Sequence, residues 1–186
     1  MKLENFTFPP PTFDLDQFIL RPLQAGDAAD WYAYLSNPNV VQFTSWDVSS
    51  VDAVSSIIQF CLDGYTHKKS CRWALAEKAS HHLIGTCGLF YWQEAHSLAE
   101  IGYDLHPDYW GRGLMTSAVE CVLKWGFDIL EINRIQATVM VGNSGSIRIL
   151  EKTSFQKEGR LRHYKICRGE AKDFWMYAQL KSDYQG

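Results

Sequence analysis

The sequence predicts one domain, residues 1–186, of the α/β (α+β) class: a central twisted, mostly antiparallel mixed sheet of about seven strands, flanked by about four helices. Three observations lead to this prediction. Short runs of β-branched and aromatic residues alternate with longer runs whose apolar residues recur at helical spacing. Their order is one strand, two helices, three strands, and then helix, strand, helix and two strands. Finally, 186 residues, 46% of them apolar, suffice for one full hydrophobic core.

The chain begins with an expected lead-in and one strand. Residues 1–17 are predicted to be extended, because residues 8–12 contain three consecutive prolines. Residues 18–23 form the first predicted strand, and Pro22 within them favours a strand end or a sheet edge, since proline donates no ladder hydrogen bond.

Two helices are predicted next. The first runs from about Asp27 to Leu35, and the turn-forming run Asn37-Pro38-Asn39 ends it. Residues 40–46 are an irregular apolar stretch that we expect to be a loop. Ser49 or Ser50 can cap the second helix, and Gly64 ends it.

The remaining residues predict six strands and two helices. Three strands are expected to form an antiparallel meander, and three more follow later: residues 71–77, 83–92 and 98–105, then 134–141, 155–167 and 172–180. The last two are joined at Arg168-Gly169-Glu170. The helices are predicted from Leu114 to about Leu130 and from Asn143 to Thr153.

The junction Tyr109-Trp110-Gly111-Arg112-Gly113 is the most informative stretch, because a strand runs into it and a helix starts from it. The first turn of a helix has unpaired N–H groups and a partial positive charge, and glycines let an anion approach the backbone closely. The pattern therefore predicts a pyrophosphate site, to which Arg112 can add a charged contact. The alternative is a tight turn with a glycine N-cap. Two other phosphate motifs are excluded: a dinucleotide fingerprint needs a glycine at Thr116, and no Gly-Lys-Ser/Thr of a P-loop is present.

Composition and charge exclude several classes of protein. The net charge of −3 and the absence of a basic run argue against nucleic-acid binding. Five cysteines without a C-x-x-C pair fit buried thiols in a reducing compartment better than disulfides or zinc, and no residue grouping has metal-ligand spacing. No stretch is long enough to span a membrane, and the N-terminus lacks the apolar core of a signal peptide. We expect a cytoplasmic protein that uses no metal.

Three segments of the chain together form a recognisable pattern. The first segment is Leu20-Arg21-Pro22-Leu23 followed by Gly26-Asp27-Ala28. The second runs from Glu100-Ile101-Gly102-Tyr103 to Tyr109-Trp110-Gly111-Arg112-Gly113. The third runs from Asn143-Ser144-Gly145-Ser146 to Leu150-Glu151-Lys152-Thr153-Ser154-Phe155. In this order, over about residues 18 to 180, they resemble the GNAT superfamily of acyl-CoA-dependent N-acetyltransferases, and most closely its RimJ/RimL-like branch, which includes enzymes that acetylate N-termini of ribosomal proteins.

The resemblance implies that acetyl-CoA is the co-substrate and that its pantetheine lies in a splay between the fourth and fifth predicted strands. The backbone near Leu105 would bond the pantetheine and polarise the thioester carbonyl. The pyrophosphate would be held by the residues of the turn and the first helical turn: Trp110, Gly111, Arg112, Gly113, Leu114, Met115 and Thr116, the last through its hydroxyl.

Three positions depart from the pattern of the branch. Asp108 stands where the superfamily often has Gln or Arg, so we expect its carboxylate to point away from a pyrophosphate. Ser117 stands where this branch often has Glu. Ser154 replaces the glycine that usually precedes Phe155, which predicts strain at a left-handed helix end.

Catalytic roles are also implied by the resemblance. Ser146 is placed to protonate the departing thiolate, and Asn143, three residues earlier, to contact the coenzyme; by residue type alone, Asn143 and Ser144 are equally ordinary helix caps. Glu100 would take the amine proton, directly or through water, or bind the ammonium, and alternation puts it on one strand face with Gly102 and Asp104. By residue type alone, Glu100 is an exposed carboxylate.

Weaker candidates surround these residues. His106 could relay a proton, although a solvated loop histidine is the ordinary interpretation, and His163 and Tyr164 could reach the substrate side. Three tryptophans could line an amine pocket or belong to the core: Trp31, Trp46 and Trp73.

The functional hypothesis is acetyl transfer from acetyl-CoA to a primary amine by direct attack in a ternary complex. The acceptor is either the N-terminal amine of a (ribosomal) protein or a small amine such as a polyamine, an amino acid or an antibiotic. A non-catalytic acyl-CoA-binding module is the alternative class, and a dinucleotide-dependent enzyme is disfavoured by Thr116. We expect no direct nucleic-acid or membrane partner, and a monomer or homodimer.

Overall fold

A computed structural model describes residues 11–46, 48–67 and 69–184 of the chain. The strands are β1 (Asp14–Leu15), β2 (Phe18–Pro22), β3 (Cys71–Glu77), β4 (Leu83–Gln93), β5 (Leu98–Leu105), β6 (Arg134–Met140), β7 (Gln156–Cys167) and β8 (Glu170–Leu180). The α-helices are α1 (Ala28–Leu35), α2 (Pro38–Val41), α3 (Val51–Thr66), α4 (Leu114–Asp128) and α5 (Ser144–Lys152). Short 3-10 turns occur as well, including Pro107–Tyr109, which precedes the glycine-rich turn.

The strands form one sheet in the order β1-β2-β3-β4-β5-β6-β8-β7. Every neighbouring pair is antiparallel except β5 and β6, which are parallel. The parallel pair is registered over only three positions, from Leu98 opposite Arg134 to Glu100 opposite Gln136. Beyond Glu100 the two strands are no longer paired, so the expected splay between the fourth and fifth predicted strands is confirmed.

Hydrophobic packing occupies both faces of the sheet because the strands alternate their side chains. On one face, α4 contributes a buried stripe that packs against β3, β4 and β5, with Trp73 and Trp125 in edge-to-face contact at 4.9 Å. On the other face, α1 and α3 pack together around the fully buried Trp31 and Ile58. The sheet therefore separates two helical layers, and the splay opens between them.

The counts differ slightly from the prediction, with eight strands and five helices in the described residues. The additional strand is β1, a two-residue segment inside the expected lead-in; residues 1–10 of that lead-in lie outside the described residues. The additional helix is α2, within the stretch expected to be a turn and a loop. Asn37 is its N-cap and accepts a hydrogen bond from the Asn39 N–H at 2.9 Å, and Pro38 takes the first helical position, where proline is tolerated. The run that ends α1 thus also starts a new helical turn.

The "Leu-Arg-Pro … Asp" segment has a structural explanation. The guanidinium of Arg21 donates two hydrogen bonds to the Asp27 carboxylate, at 2.9 and 2.7 Å, and a third to the His81 carbonyl at 2.8 Å. Both side chains are buried. This bidentate pair connects β2 to the start of α1 and to the β3–β4 turn.

Two backbone features agree with the sequence. Arg168 and Gly169, both with positive φ, join β7 and β8 in a two-residue hairpin turn, as the Arg168-Gly169-Glu170 run predicts. Ser154 has φ +62°, so the serine in place of glycine does adopt the left-handed conformation.

The cysteines are all free thiols, four of them buried. Burial raises the pKa of Cys71 to about 12, which makes this thiol unreactive. Among the described residues, no helix combines the length and the apolar character needed to cross a bilayer.

Candidate active site

A groove of about 1220 Å³ runs along the splay from the start of α4 and α5 on one side to the region of α2, α3 and β3 on the other. Its lining includes Glu100, Tyr103, Leu105, Asn143 and Ser146. It also includes most residues of the turn and the first turn of α4: Trp110, Gly111, Gly113, Leu114, Met115 and Thr116. The fold thus collects segments that are distant in sequence around one cleft.

The glycine-rich turn presents bare backbone to this groove. Gly111 and Gly113 have φ values of +76° and +78°, which L side chains adopt only at a cost, and a Cβ built on either one meets no atom within 4 Å. Gly113 is the N-cap of α4, with no side chain to cap the helix. The intrahelical ladder begins with the Ser117 N–H, which donates to the Gly113 carbonyl at 3.1 Å, so the preceding N–H groups have no partner within the helix. This end can bind an anion.

The neighbouring predicted ligands contribute in different ways. The side chains of Leu114 and Met115 are buried in the core, which leaves their backbone as the part facing the groove. Thr116 also lines the groove. The guanidinium of Arg112 lies over the rings of Phe18 and Tyr109, at 5.5 and 5.2 Å, where cation–π contacts hold it next to the turn.

Leu105 differs from the expectation in one respect. Its carbonyl already accepts a hydrogen bond from the indole N–H of Trp110 at 2.8 Å. The half-exposed Trp110 ring therefore closes the C-terminal end of β5. A carbonyl has two lone pairs, so a ligand would share this oxygen with the indole rather than find it free.

Side-chain hydrogen bonds and ring contacts hold the segment Pro107–Tyr109, which precedes the glycine-rich turn. The Tyr109 hydroxyl donates to the Glu77 carboxylate at 2.8 Å, and hydrogen bonds from Ser80 and from Tyr109 lower the pKa of Glu77. Asp108 is 84% exposed and lies 3.9 Å from the His106 ring, so its carboxylate points to solvent. The ring of His106 packs against Tyr109 and accepts a hydrogen bond from the Asp108 N–H, which makes it part of the turn's architecture.

Asn143 and Ser146 meet as their spacing predicts. The Asn143 side-chain oxygen caps α5 by accepting a hydrogen bond from the Ser146 N–H at 3.1 Å. The cap role of Asn143 is thus present, which leaves its amide NH₂ for any further contact. The Ser146 hydroxyl lies 2.9 Å from the Tyr103 hydroxyl.

Tyr103 is the residue of this group that sequence reasoning missed. It lies on the β5 face opposite to Glu100, and burial raises the pKa of its hydroxyl, which the hydrogen bond with Ser146 only partly opposes. The phenol therefore stays protonated and can donate to Ser146. The alternation of β5 places Tyr103 on that face, but its contact with α5 depends on tertiary packing.

Glu100 faces a different set of partners. Its carboxylate accepts a hydrogen bond from the Thr138 hydroxyl at 2.9 Å and lies 3.7 Å from the ammonium of Lys165. The side chain is 15% exposed, so it is accessible but held in one orientation. Glu100 is therefore not the freely exposed carboxylate that its residue type suggests.

Asp104, which also lines the groove, is the centre of a largely buried polar network that the sequence did not indicate. Its carboxylate is paired with Arg72 and accepts hydrogen bonds from Tyr34, from Thr86 at 2.7 Å and from the Trp31 indole at 3.0 Å. Burial and the Asp104 charge raise the pKa of Tyr34 well above its ordinary value. This network fixes the far half of β5 to α1 and β3.

The tryptophan candidates separate into core and groove. Trp31 and Trp73 are fully buried, so both are core residues. Trp46 lines the groove, where its ring lies 4.5 Å from the Arg72 guanidinium.

Two β7 candidates and the question of a metal remain. The His163 N–H donates to Asp173 on the exposed side of β7, whereas Tyr164 lines a second, smaller cavity beside Glu100. Within residues 11–46, 48–67 and 69–184, no cluster of His, Cys, Asp and Glu has the arrangement of a metal site.

The cleft thus combines a parallel strand pair that opens beside a bare helix N-terminus with the carboxylate of Glu100 and the hydroxyl of Ser146. The fold is similar to that of the ribosomal-protein-S5-alanine acetyltransferase from Vibrio fischeri, with a TM-score of 0.81, 20% identity and coverage of 94% of this chain and 99% of that one. It is also similar to the microcin C7 self-immunity acetyltransferase MccE, solved with acetyl-CoA and AMP, with a TM-score of 0.80, 20% identity and coverage of 94% and 98%.

The sequence matches known proteins as well. Residues 17–156 match the acetyltransferase (GNAT) domain, and the chain belongs to this family of N-acetyltransferases. The uncharacterized N-acetyltransferase p20 of Bacillus licheniformis is 35% identical over 180 residues, which cover 94% of this chain and 99% of that protein. The predicted fold class and the resemblance to GNAT enzymes are thereby confirmed.

Proposed function

We propose that this protein transfers the acetyl group of acetyl-CoA to a primary amine by direct attack in a ternary complex. The observation that carries the proposal is that one groove contains the bare N-terminus of α4, the β5–β6 splay, and the side chains of Glu100 and Ser146. A non-catalytic acyl-CoA-binding module would need the first two features but neither side chain.

The coenzyme fits the residues that surround the groove. The first-turn N–H groups of α4 and the turn Gly111–Gly113 suit the pyrophosphate, because a Cβ would project into the open space in front of both glycines. Arg112 adds a positive charge beside them. The splay beyond Glu100 has unpaired strand edges to which an amide-containing pantetheine arm can hydrogen-bond. When bound, acetyl-CoA supplies the activated acetyl group as a thioester.

The chemistry divides between the two sides of β5. The amine nitrogen forms a bond to the acetyl carbon while the carbon–sulfur bond breaks, so one proton must leave the amine and one must reach the thiolate. Glu100 accepts the first, directly or through water, with Thr138 orienting its carboxylate. Ser146 donates the second, and its hydrogen bond with the neutral Tyr103 phenol lets Tyr103 pass a proton to Ser146. The proton held by Glu100 is then released to solvent, and a proton from solvent restores the Tyr103 phenol, so the cycle closes without net loss or gain.

For the acceptor, we favour the N-terminal amine of a protein over a polyamine. Three carboxylates of the described residues line the groove, and the two on the sheet each have a cation beside them: Asp104 has Arg72 and Glu100 has Lys165. The third, Asp63 on α3, accepts a hydrogen bond from the Gln59 amide. A polyamine would instead need carboxylates without such compensation. We further propose that the protein works in the cytoplasm, where acetyl-CoA and reduced thiols are both present.

The test is Glu100→Gln, measured with an acceptor found by screening amines and N-terminal peptides with acetyl-CoA and following free thiol. This change keeps the size of the side chain and removes the base, so we expect kcat to fall by roughly 10²–10⁴-fold where chemistry limits the rate. The rise of rate with pH should also move toward the pKa of the free amine.

Glu120→Gln, on the exposed side of α4, is the matched control and should leave both properties unchanged. A parental rate and pH profile for Glu100→Gln would show that Glu100 is not the base.

A further inference from the structure

Lys165 brings a positive charge to the position where an acceptor would meet Glu100. Its ammonium lies 3.7 Å from the Glu100 carboxylate and 3.1 Å from the Thr138 hydroxyl, and its side chain is 33% exposed. An N···O separation of 3.7 Å is longer than a hydrogen bond, so Glu100 takes none of the three N–H donors of Lys165 at this distance. The ammonium is thus close enough to polarise Glu100 and still able to donate to a ligand.

Two β-bulges create this arrangement. The register of β4 shifts between Phe90 and Gln93, where Tyr91 has φ +49°, and the register of β7 shifts between Leu161 and Lys165, where His163 has φ +49°. Bulges re-aim side chains, and strained backbone at non-glycine residues persists where the surrounding structure holds it. The β4 bulge lies opposite the N-terminal part of β5, and the β7 bulge contributes Tyr164 and Lys165 to a cavity that Glu100 also lines.

The bulges surround a second cavity of about 260 Å³ that adjoins the main groove. It is lined by Tyr91, Gln93, Leu98, Glu100, Gln136, Tyr164 and Lys165. Glu100 and Lys165 line both spaces, so they stand at the boundary between the groove and this smaller cavity. A molecule that places its amine at Glu100 therefore also meets the ammonium of Lys165.

From this geometry we infer that Lys165 recognises an oxygen on the carbon next to the reacting amine, so the acceptors are α-amino groups. This inference rests on the proposed function. The adjacent negative and positive groups of Glu100 and Lys165 complement an amine and a neighbouring carbonyl or carboxylate oxygen. A polyamine offers no such oxygen, and its second cation would be repelled by Lys165.

The required oxygen can come from two sources, the carboxylate of a free amino acid or the first carbonyl of a peptide. The small cavity can take the side chain of the first residue, and the open groove can take a continuing chain. Separate acceptors distinguish the two sources: alanine, peptides of the form X-Ala-Ala with each amino acid except proline at X, isopropylamine and spermidine. Isopropylamine retains the branched carbon next to the amine and lacks the oxygen.

The experiment compares Lys165→Met with Lys172→Met and the parent protein, following thiol release. Lys172 is the cross-strand partner of Lys165 in the β7–β8 pair and lines neither cavity, so its loss removes the same charge from the same region. We expect Lys165→Met to lower kcat/KM for the carbonyl-bearing acceptor by about 10- to 100-fold, the loss typical of a charged hydrogen bond. Lys165→Arg should restore part of it.

Lys165→Met also removes the positive charge 3.7 Å from Glu100, so the kcat/KM for isopropylamine should change as well, but by a smaller factor than that for the carbonyl-bearing acceptor. Because amines differ in basicity, each amine is compared between variants and not with the other amines. Lys172→Met should resemble the parent protein for every acceptor, and thermal unfolding of each variant shows that the fold is intact.

The outcomes separate the inference from the proposed function. An equal loss of kcat/KM for alanyl peptide and isopropylamine, or transfer to spermidine and to no α-amino acceptor, overturns the role of Lys165. Binding of acetyl-CoA without transfer to any peptide or to alanine at millimolar concentration overturns it too. Failure of the parent protein to bind acetyl-CoA would instead contradict the proposed function.

Discussion

Replacing Gly113 by alanine separates the conformational role of this glycine from a role in binding acetyl-CoA. The chain offers a matched control, because Gly169 in the β7–β8 turn has the same φ of +78°, and a Cβ built on either glycine meets nothing within 4 Å. Gly113 lines the groove and Gly169 does not. Both variants thus place alanine at the same positive φ, and only one carries a methyl group at the proposed phosphate site.

The expected magnitudes follow from this comparison. Left-handed backbone costs a non-glycine residue roughly 1–2 kcal/mol, and for a chain of this size 1 kcal/mol corresponds to about 2–4 °C in Tm. Both variants should therefore unfold about 2–8 °C below the parent protein without ligand. At about one hundred times Kd, acetyl-CoA stabilises the native state by about 2.7 kcal/mol, or about 5–11 °C.

The assay is thermal unfolding with and without acetyl-CoA at one fixed concentration. The parent protein and Gly169→Ala should show the full ligand-induced shift. Gly113→Ala should lose at least about 1.4 kcal/mol of it, the equivalent of a tenfold loss of affinity, because the methyl group keeps the pyrophosphate away from the N–H groups.

Two results would refute this reasoning. An equal ligand-induced shift in Gly113→Ala and Gly169→Ala would show that the phosphates do not bind at the turn. No shift in the parent protein at millimolar acetyl-CoA would show that acetyl-CoA is not its ligand.

Three further predictions concern the proton donor, a buried ion pair and the acid side of stability. Ser146→Ala should lower kcat, measured by steady-state kinetics, and leave the Kd of acetyl-CoA, measured by calorimetry, nearly unchanged. Adding Tyr103→Phe should lower kcat little further, because both hydroxyls act in the same proton transfer. Arg21→Met should cost about 3–5 kcal/mol in urea unfolding, since it leaves the buried Asp27 uncompensated, and adding Asp27→Leu should recover part of that loss. Hydrogen bonds to Glu77 lower its pKa in the folded state, so its contribution to stability is present above its ordinary pKa of 4.5 and is lost as pH falls through the lowered value. Glu77→Gln should accordingly flatten the acid part of a plot of stability against pH, and an unchanged plot would contradict this.

The residue types of neighbouring positions were sufficient to predict helix starts, helix caps and tight turns. The α4 helix begins at Leu114, directly after Gly113, because glycine supplies the left-handed N-cap and the next residues repeat at helical spacing. The hairpin at Arg168-Gly169 and the cap of α5 by Asn143 follow from the same kind of local preference. The splay could be expected only from the resemblance, because it depends on where two strands stop pairing.

Residues that act through tertiary contacts could not be found in this way. Lys165 approaches Glu100 from β7, which is not a neighbour of β5 in the sheet, and it does so next to a register shift that no periodicity in the sequence marks. Asp104 meets Arg72, 32 positions earlier in the chain, through strand pairing. Both residues are ordinary surface types by composition, so the sequence alone favours a solvated role for each.

The alternation of β5 connects the two halves of the proposed mechanism. Glu100 projects from the face on which the Lys165 ammonium lies, whereas Tyr103, an odd number of residues later, projects from the opposite face toward Ser146 in α5. An intact sheet would keep a base on one face and an acid on the other apart. Here β5 loses its partner strand directly after Glu100, so the two faces communicate through the splay. In the proposed mechanism the amine approaches from one face and the thiolate leaves toward the other. This requires a proton acceptor on one side of β5 and a proton donor on the other, and Glu100 and Ser146 are arranged in this way. Inserting one residue into β5 between Glu100 and Tyr103 would make these two side chains project from the same face of the strand. Acetyl transfer should then be abolished, even in a protein that still binds acetyl-CoA.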